Sequence, residues 1–457
     1  MSKQSFNVLA IDYGASSGRV FIGRFDGRAL FVEELCRFPN TSTQLVGGCY
    51  WDILYLFSKT VEAIEKSTTE RCSFHSMGTD GWGLDFGLLD KAGRLIGQVH
   101  SYRDTRTLGI PERMEDVISK RELFNITGIT PTHITTLYQL ISLKENGDEG
   151  LDRADKLLFV PNLLSYFLTG TMSCDTTLAS ASMLFDIEAM NWSRNIRNAF
   201  SIPDIFPNIA RHGDTIGHTD GKLFSKAQSI PVVCVPHHDT AASFSCAPRN
   251  AVCINCGTWA VVGAIIDKPK LTDSTFHNSL CNEVIYNDQF ILAANLTGLF
   301  IIQECVREWV TEGFAINYEI LDNEAQDLRF DSEIDISRVE FSQTNGMCGK
   351  ISEYCRESGQ KTPDETYEYY ACIMNSLAKC YAETVRMMWN QASVSRDRIY
   401  IMGGGAKNKY LCNRLQDLLG VEVVKGPVES TAMGNIMAQL ISAGKIKDVD
   451  EFFEIIT

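Results

Sequence analysis

The chain opens with apolar runs of strand length. Asn7 to Ile11, Val20 to Arg24 and Leu30 to Leu35 predict three strands, with Asp26-Gly27 as the turn between the second and third. The period then changes. Leu54, Phe57, Val61 and Ile64 recur at helical spacing and predict an amphipathic helix over Trp51 to Lys66. Ser73 to Gly78 and Leu84 to Leu89 read as two more strands flanking Thr79-Asp80-Gly81-Trp82-Gly83. From Leu108 to Phe200 helical patterns dominate, including Thr136 to Lys144 and Val160 to Leu168, the latter closed by Gly170.

Val232 to Val235 is a short apolar strand that ends at Pro236. The opening pattern then returns: a strand from Asn250, the turn Asn255 to Thr258, and a strand over Trp259 to Ile266. Thr362-Pro363-Asp364-Glu365 reads as a capping box that starts a long helix. A strand over Arg398 to Met402 runs into Gly403-Gly404-Gly405. A helix over Asn408 to Leu419, a strand over Val421 to Val424 and a helix over Glu429 to Ile441 follow. A strand–turn–strand opening used twice, each time followed by helices, predicts two similar α/β domains. Their boundary is expected near Ala247 to Asn250.

Composition narrows the class. A chain of 457 residues exceeds one ordinary core, and 44% hydrophobic with 22% charged residues describes a water-soluble protein. A net charge of −15 with no basic run argues against nucleic-acid binding, so a small anion must be held by local dipoles. No signal peptide and no membrane-length apolar stretch is read, which predicts a cytoplasmic protein, monomer or homodimer. The fifteen cysteines are scattered, and Cys253 and Cys256 form the only Cys-x-x-Cys, inside a strand-like run without a second pair.

Three glycine-bearing turns and one carboxylate carry the candidate chemistry. In Asp12 to Arg19 a carboxylate precedes small residues whose N–H groups can approach an anion. Gly257-Thr258 has the same character, and Gly403 to Gly405 lacks side chains where something flat or charged can lie against the backbone. Asp239 stands where a strand hands over to a helix, the usual place for a catalytic carboxylate on an α/β scaffold, or alternatively for a helix N-cap.

Together these stretches resemble the FGGY carbohydrate kinases of the actin-like ATPase superfamily. Within that family, Asp12 to Arg19, Gly78 to Asp85 and Tyr102 to Arg106 resemble the rhamnulokinase branch. The resemblance implies an α/β fold of two actin-like ATPase (ribonuclease H-like) domains with an interdomain cleft: a sugar-binding domain over 1–247 and an ATP-binding domain over 248–457. It implies ATP-dependent phosphorylation of a deoxy-ketohexose at O1, with L-rhamnulose expected first, L-fuculose or another ketose as alternatives, and a non-catalytic sugar sensor as the competing class. By the resemblance Asp239 is the catalytic base. Gly83, His238, Asp239, Thr240 and Asn295 fall on sugar-binding positions. Ala15, Ser16, Ser17, Gly18, Arg19, Thr258, Gln303 and Gly404 fall on ATP-binding positions. Asp12 is expected to hold Mg2+ through water, facing Asp239 from the opposite domain. Gly81 departs from the threonine or serine usual in this branch, and His237 and Cys256 stand where serine is common.

Overall fold

Phe6–Tyr13 is a strand buried at seven of eight positions, which no one-sided sheet would require. Its alternate residues serve two different cores. Leu9, Ile11 and Tyr13 face a cluster with Leu56, Ile64, Leu163 and Leu168, from the helices Ile53–Glu70 and Val160–Thr169. Val8 and Ala10 face a second cluster with Ala432, Ile436, Met437 and Leu440, from the helix Ser430–Ser442. A sheet covered by helices on both faces is the result.

The computed structural model describes residues 5–70, 73–224, 229–327 and 330–456. It forms two units. The first comprises Met1–Cys246, Asp267–Ile291 and Thr431–Thr457, and the second Ala247–Ile266 and Leu292–Ser430. A single cut near residue 247 therefore meets the first junction but not the other three: two later segments return to the first unit.

The first unit carries strands in the spatial order Thr215–His218, Pro231–Val233, Ser76–Gly81, Phe6–Tyr13, Ser17–Phe25, Leu30–Pro39. Phe6–Tyr13 runs antiparallel to Ser17–Phe25 and parallel to Ser76–Gly81. The second unit repeats this arrangement. Val252–Cys256 runs antiparallel to Trp259–Ile266 and parallel to Arg398–Met402, which pairs in turn with Glu422–Lys425. The long helix Thr366–Gln391 is tied to this unit by Tyr381, whose hydroxyl donates to the carbonyl of Thr297 at 2.9 Å. Among the described residues no helix is long and apolar enough to cross a membrane.

Several expected boundaries move for physical reasons. The first helix starts at Ile53, and its buried stripe is Ile53, Leu56, Thr60, Ala63 and Ile64, while Leu54 is exposed. Ser17 to Arg19 belongs to the second strand, because the hairpin register pairs Asp12 with Arg19 and Tyr13 with Gly18. The capping box of the long helix is formed by Glu365 and Glu368 rather than by Thr362 and Glu365, so the helix begins at Thr366.

Close backbone approach joins the helix Ser430–Ser442 to the helix Asp239–Ser245. A Cβ on Gly434 would fall 1.8 Å from the Ala242 carbonyl oxygen. Gly434→Ala is expected to destabilise the protein by at least about 2 kcal/mol, because backbone must move to admit the methyl group. Urea unfolding monitored by tryptophan fluorescence checks this; an unchanged midpoint would show that the two helices part freely.

Candidate functional site

Strand register brings two carboxylates side by side in the first unit. Asp12 and Asp80 are direct partners at the C-terminal ends of parallel strands, where α/β sheets place their chemistry. Both are buried. Asp12 forms a short ion pair with Arg19, so the Arg19 charge is engaged on that carboxylate. Asp80 accepts a hydrogen bond from Asn435 Nδ2 at 2.5 Å, and its Oδ1 has no hydrogen-bond partner among the described residues. Burial first, then the Asp12 charge, hold Asp80 well above the ordinary carboxylate range against the pull of Asn435. Asp239 adds to the same effect, so it belongs to this carboxylate group and to this unit. The expectation that Asp12 and Asp239 come from opposite domains is thereby corrected.

Asp239 is the first residue of the helix Asp239–Ser245, and His238 occupies the N-cap position. The N-cap alternative for Asp239 therefore fails. Its Oδ1 accepts from the Thr240 N–H at 2.6 Å, which fixes the carboxylate, and 33% of its side-chain surface remains open. Desolvation raises its pKa, the neighbouring His238 opposes this, and the Asp12 charge raises it further. An oriented, accessible carboxylate with raised proton affinity suits a general base.

The segment carrying Asp239 is held from behind. The His237 N–H donates to Asp175 Oδ2 at 3.3 Å and the His238 N–H to Thr177 Oγ1 at 3.0 Å. The Gly81 N–H donates to the His237 carbonyl at 2.9 Å. The His237 ring is buried, its Nδ1 lies 2.6 Å from the Thr79 carbonyl, and burial lowers its pKa; it is a neutral strut. Glycine at 81 has a steric cause here, since a Cβ would fall 2.5 Å from the Tyr13 carbonyl oxygen. Gly83 gives room to the His238 ring, whose Nε2 lies 3.1 Å from where a Cβ would stand.

Beside Gly83, Asp85 is fully buried and accepts four hydrogen bonds: from Trp51 Nε1 at 2.6 Å, Trp82 Nε1 at 3.0 Å, the Tyr102 N–H at 3.1 Å and Gln139 Nε2 at 2.9 Å. Burial pushes it up to about 6 while the donors pull down, so it is ionised at neutral pH. Trp82 is thus a core residue that spends its N–H on Asp85. Arg106 donates to Gln139 at 2.9 Å, and Asp104 accepts from the backbone of Cys49 and Arg106, so both brace this wall.

The turn after Asp12 is narrower than expected. Gly14 donates to the Ser17 carbonyl at 3.1 Å, Ala15 is held through its carbonyl by Arg103, and Ser16 is exposed. The missing Cβ of Gly18 makes way for the Phe38 ring.

The second unit has its own pocket of about 500 Å³, lined by Gln303, Tyr318, Asp322, Tyr370, Met374 and Gly404 among others. Thr258 Oγ1 donates to Gln303 Oε1 at 3.2 Å, which brings three expected ATP-binding positions to one place. Asp322 had no motif to announce it. It accepts from Tyr370 Oη at 2.9 Å and from the Lys409 and Tyr410 N–H groups, anchoring the helix Lys409–Leu419. Asn295 is exposed on the strand Gln289–Thr297 and falls in the second unit, whereas the other four expected sugar-binding residues fall in the first. Cys253 and Cys256 are both buried in a strand, and burial pushes the Cys256 thiol up to about 12. Among the described residues no group of three metal-ligating side chains is gathered.

Residues 7–246 match the FGGY family of carbohydrate kinases, N-terminal domain, and residues 252–443 match its C-terminal domain. The chain is 33% identical over 450 residues to a rhamnulokinase of Bacteroides thetaiotaomicron, covering 97% of this chain and 92% of that one. It is 30% identical over 454 residues to a rhamnulokinase of Bacillus subtilis, covering 98% and 92%. In fold it is similar to glycerol kinase of Plasmodium falciparum with ADP (TM-score 0.80, 14% identity, 99% and 92% covered). It is similarly close to ligand-bound xylulose kinase of Lactobacillus acidophilus (TM-score 0.79, 14% identity, 99% and 92%).

The glycine triplet separates into two kinds. Cβ atoms on Gly403 and Gly405 would meet Cys256 at 2.8 and 2.6 Å, and Gly403 has φ +75°, whereas one on Gly404 meets nothing closer than 3.6 Å. Gly404→Ala is therefore expected to keep the wild-type melting temperature within about 1 °C, while Gly405→Ala costs about 1–3 kcal/mol by overpacking. Parallel thermal scans check this. Equal losses would mean that all three glycines serve packing.

Proposed function

Since the chain belongs to the FGGY family of carbohydrate kinases and is an ATP-dependent sugar kinase, we propose that its substrate is a deoxy-ketohexose, L-rhamnulose, phosphorylated at O1. The full-length likeness to rhamnulokinases supports the sugar. The single observation that carries the chemistry is Asp239: a carboxylate oriented by the Thr240 N–H, one third open, at the start of a helix.

In this reading Asp239 takes the O1 proton as the sugar oxygen bonds to the γ-phosphorus, and the bond to the β-phosphate oxygen breaks to release ADP. Gly83, His238 and Thr240 surround the sugar. Asn295 completes the sugar contacts from the second unit. The second unit's pocket takes the nucleotide at Gly404, with Thr258 and Gln303 beside it, and the Ala15 to Arg19 stretch meets the phosphates. A magnesium ion would supply charge neutralisation on the phosphates. Asp12, with the unpartnered Asp80 Oδ1 beside it, suits an ion that keeps most of its water. The apolar and aromatic wall braced by Asp85 excludes water from the sugar side. The reaction is assigned to the cytoplasm.

Asp239→Asn keeps the shape of the site but cannot take a proton. It should lower kcat by about 10²- to 10⁴-fold with KM for the sugar little changed. A folded Asp239→Asn protein with near-normal turnover would remove Asp239 from the mechanism.

Release of ADP across a panel of ketoses checks the sugar. L-Rhamnulose should give the highest kcat/KM, by at least about tenfold over L-fuculose. A discrimination of that size needs only one or two well-placed hydrogen bonds to the hydroxyls that differ. Higher kcat/KM with L-fuculose reassigns the substrate, and ADP release indifferent to sugar rejects the acceptor class.

A further inference from the structure

Glu283 lies in a stretch that sequence order assigns to the second half, yet Asp267–Ile291 belongs to the first unit. Its strand, Cys281–Ile285, is buried at all five positions, and the Glu283 side chain is only 6% accessible. Its Oε2 accepts no hydrogen bond from any of the described residues. The group facing that oxygen is His238 Nδ1 at 3.4 Å, itself without a hydrogen-bond acceptor. The other nitrogen of the same ring, Nε2, is 3.5 Å from Asp239 Oδ1. One imidazole thus stands between two carboxylates, at ion-pair distance from each. Gly83 leaves the ring its space.

A carboxylate this buried is destabilised unless a counter-charge meets it. Neutral imidazole offers one donor and so serves one carboxylate; the imidazolium offers a donor to both. We propose that Glu283 is a positioning residue that holds His238 in its imidazolium form against Asp239, so that the base of the phosphoryl transfer works beside a fixed cation. This rests on the proposed role of Asp239. The cation offsets the Asp12 charge and keeps Asp239 ionised in desolvated surroundings. The charged groups facing His238 are Glu283, Asp239 and Asp175, all acidic; the titratable groups facing Asp239 are His238, Asp12, Glu283 and Asp80. Burial alone would lower the His238 pKa, but Glu283 and then Asp239 outweigh it and lift it to about 8. The sign follows. A raised histidine pKa means that the imidazolium is present below about 8 and is lost as pH rises through that value.

The test is an imidazole titration of uniformly ¹⁵N-labelled protein by NMR, with the His238 signals assigned from His238→Gln. The wild-type midpoint is expected near 8, above the ordinary histidine value of about 6.5. In Glu283→Gln it should fall by at least one pH unit, a tenfold loss of proton affinity. The basic limb of the kcat profile should fall with it, while KM for the sugar stays within about threefold. A wild-type midpoint at or below 6.5 overturns the proposal without any variant, which covers the case in which Glu283→Gln does not fold. A midpoint unmoved in folded Glu283→Gln overturns it as well. The titration needs no substrate, so its result stands apart from whether the sugar assignment holds.

Discussion

Three carboxylates within mutual electrostatic reach, two of them buried, make an arrangement that folding disfavours. The first unit is built around permitting it. Asp12 is met by Arg19 across the hairpin, Asp80 by the side-chain amide of Asn435, and Asp239 by the Thr240 N–H and the His238 ring. Each of the three carboxylates is compensated from a different element. Losing any one leaves a like-charge cluster in low dielectric, where each remaining charge repels more strongly than it would in water. The stability of the sheet ends and the proton affinity of Asp239 are thus set by the same few contacts.

The helix Ser430–Ser442 links this electrostatic balance to the backbone. Asn435 reaches Asp80, and one turn later Gln439 donates to the Leu9 carbonyl and accepts from Ser76 Oγ. These polar side chains are buried alongside an apolar stripe made by Ala432, Ile436 and Leu440. They fix the register of the helix on the sheet, which apolar contacts alone would leave free to slide. Gly434 lets the same helix lie against Ala242, three residues beyond Asp239. The position of the segment that carries Asp239 therefore depends on a helix almost two hundred residues away in sequence.

Much of the scaffold was legible from periodicity. The doubled strand–turn–strand opening, the helices at Thr136–Glu145 and Val160–Thr169 with Gly170 in the left-handed region, and the strands Trp259–Ile266 and Arg398–Met402 follow from apolar spacing and turn chemistry. What periodicity does not contain is which of two faces wins. Leu54 matched the helical stripe, but Leu56 and Thr60 are buried instead, because the neighbours that choose the face are distant in sequence. The glycine turns were read as anion cradles. At Gly18, Gly403 and Gly405 the missing side chain is explained by a neighbouring ring, backbone or thiol, whereas Gly257 and Gly404 have no neighbour that a Cβ would crowd, and Gly404 lines the pocket of the second unit. Asp322 carried no motif, and Asp85, though it closes the Gly78 to Asp85 segment, was given no role, since a carboxylate that organises donors from four places looks, in sequence, like any other aspartate.

Glu283 was hidden for a different reason. Reading domains as consecutive halves assigns residues 267–291 to the unit that begins at Ala247, and the strand Cys281–Ile285 was not singled out in the sequence. The observed division returns that segment to the first unit, and burial turns Glu283 from an ordinary surface charge into one that demands a partner. His238 answers that demand and is also the residue next to Asp239. The proposed tuning of Asp239 therefore depends on a segment more than forty residues further along the chain. Under that proposal, relatives with the same local motif around Asp239 but a neutral residue at this strand position have to tune that carboxylate by other means.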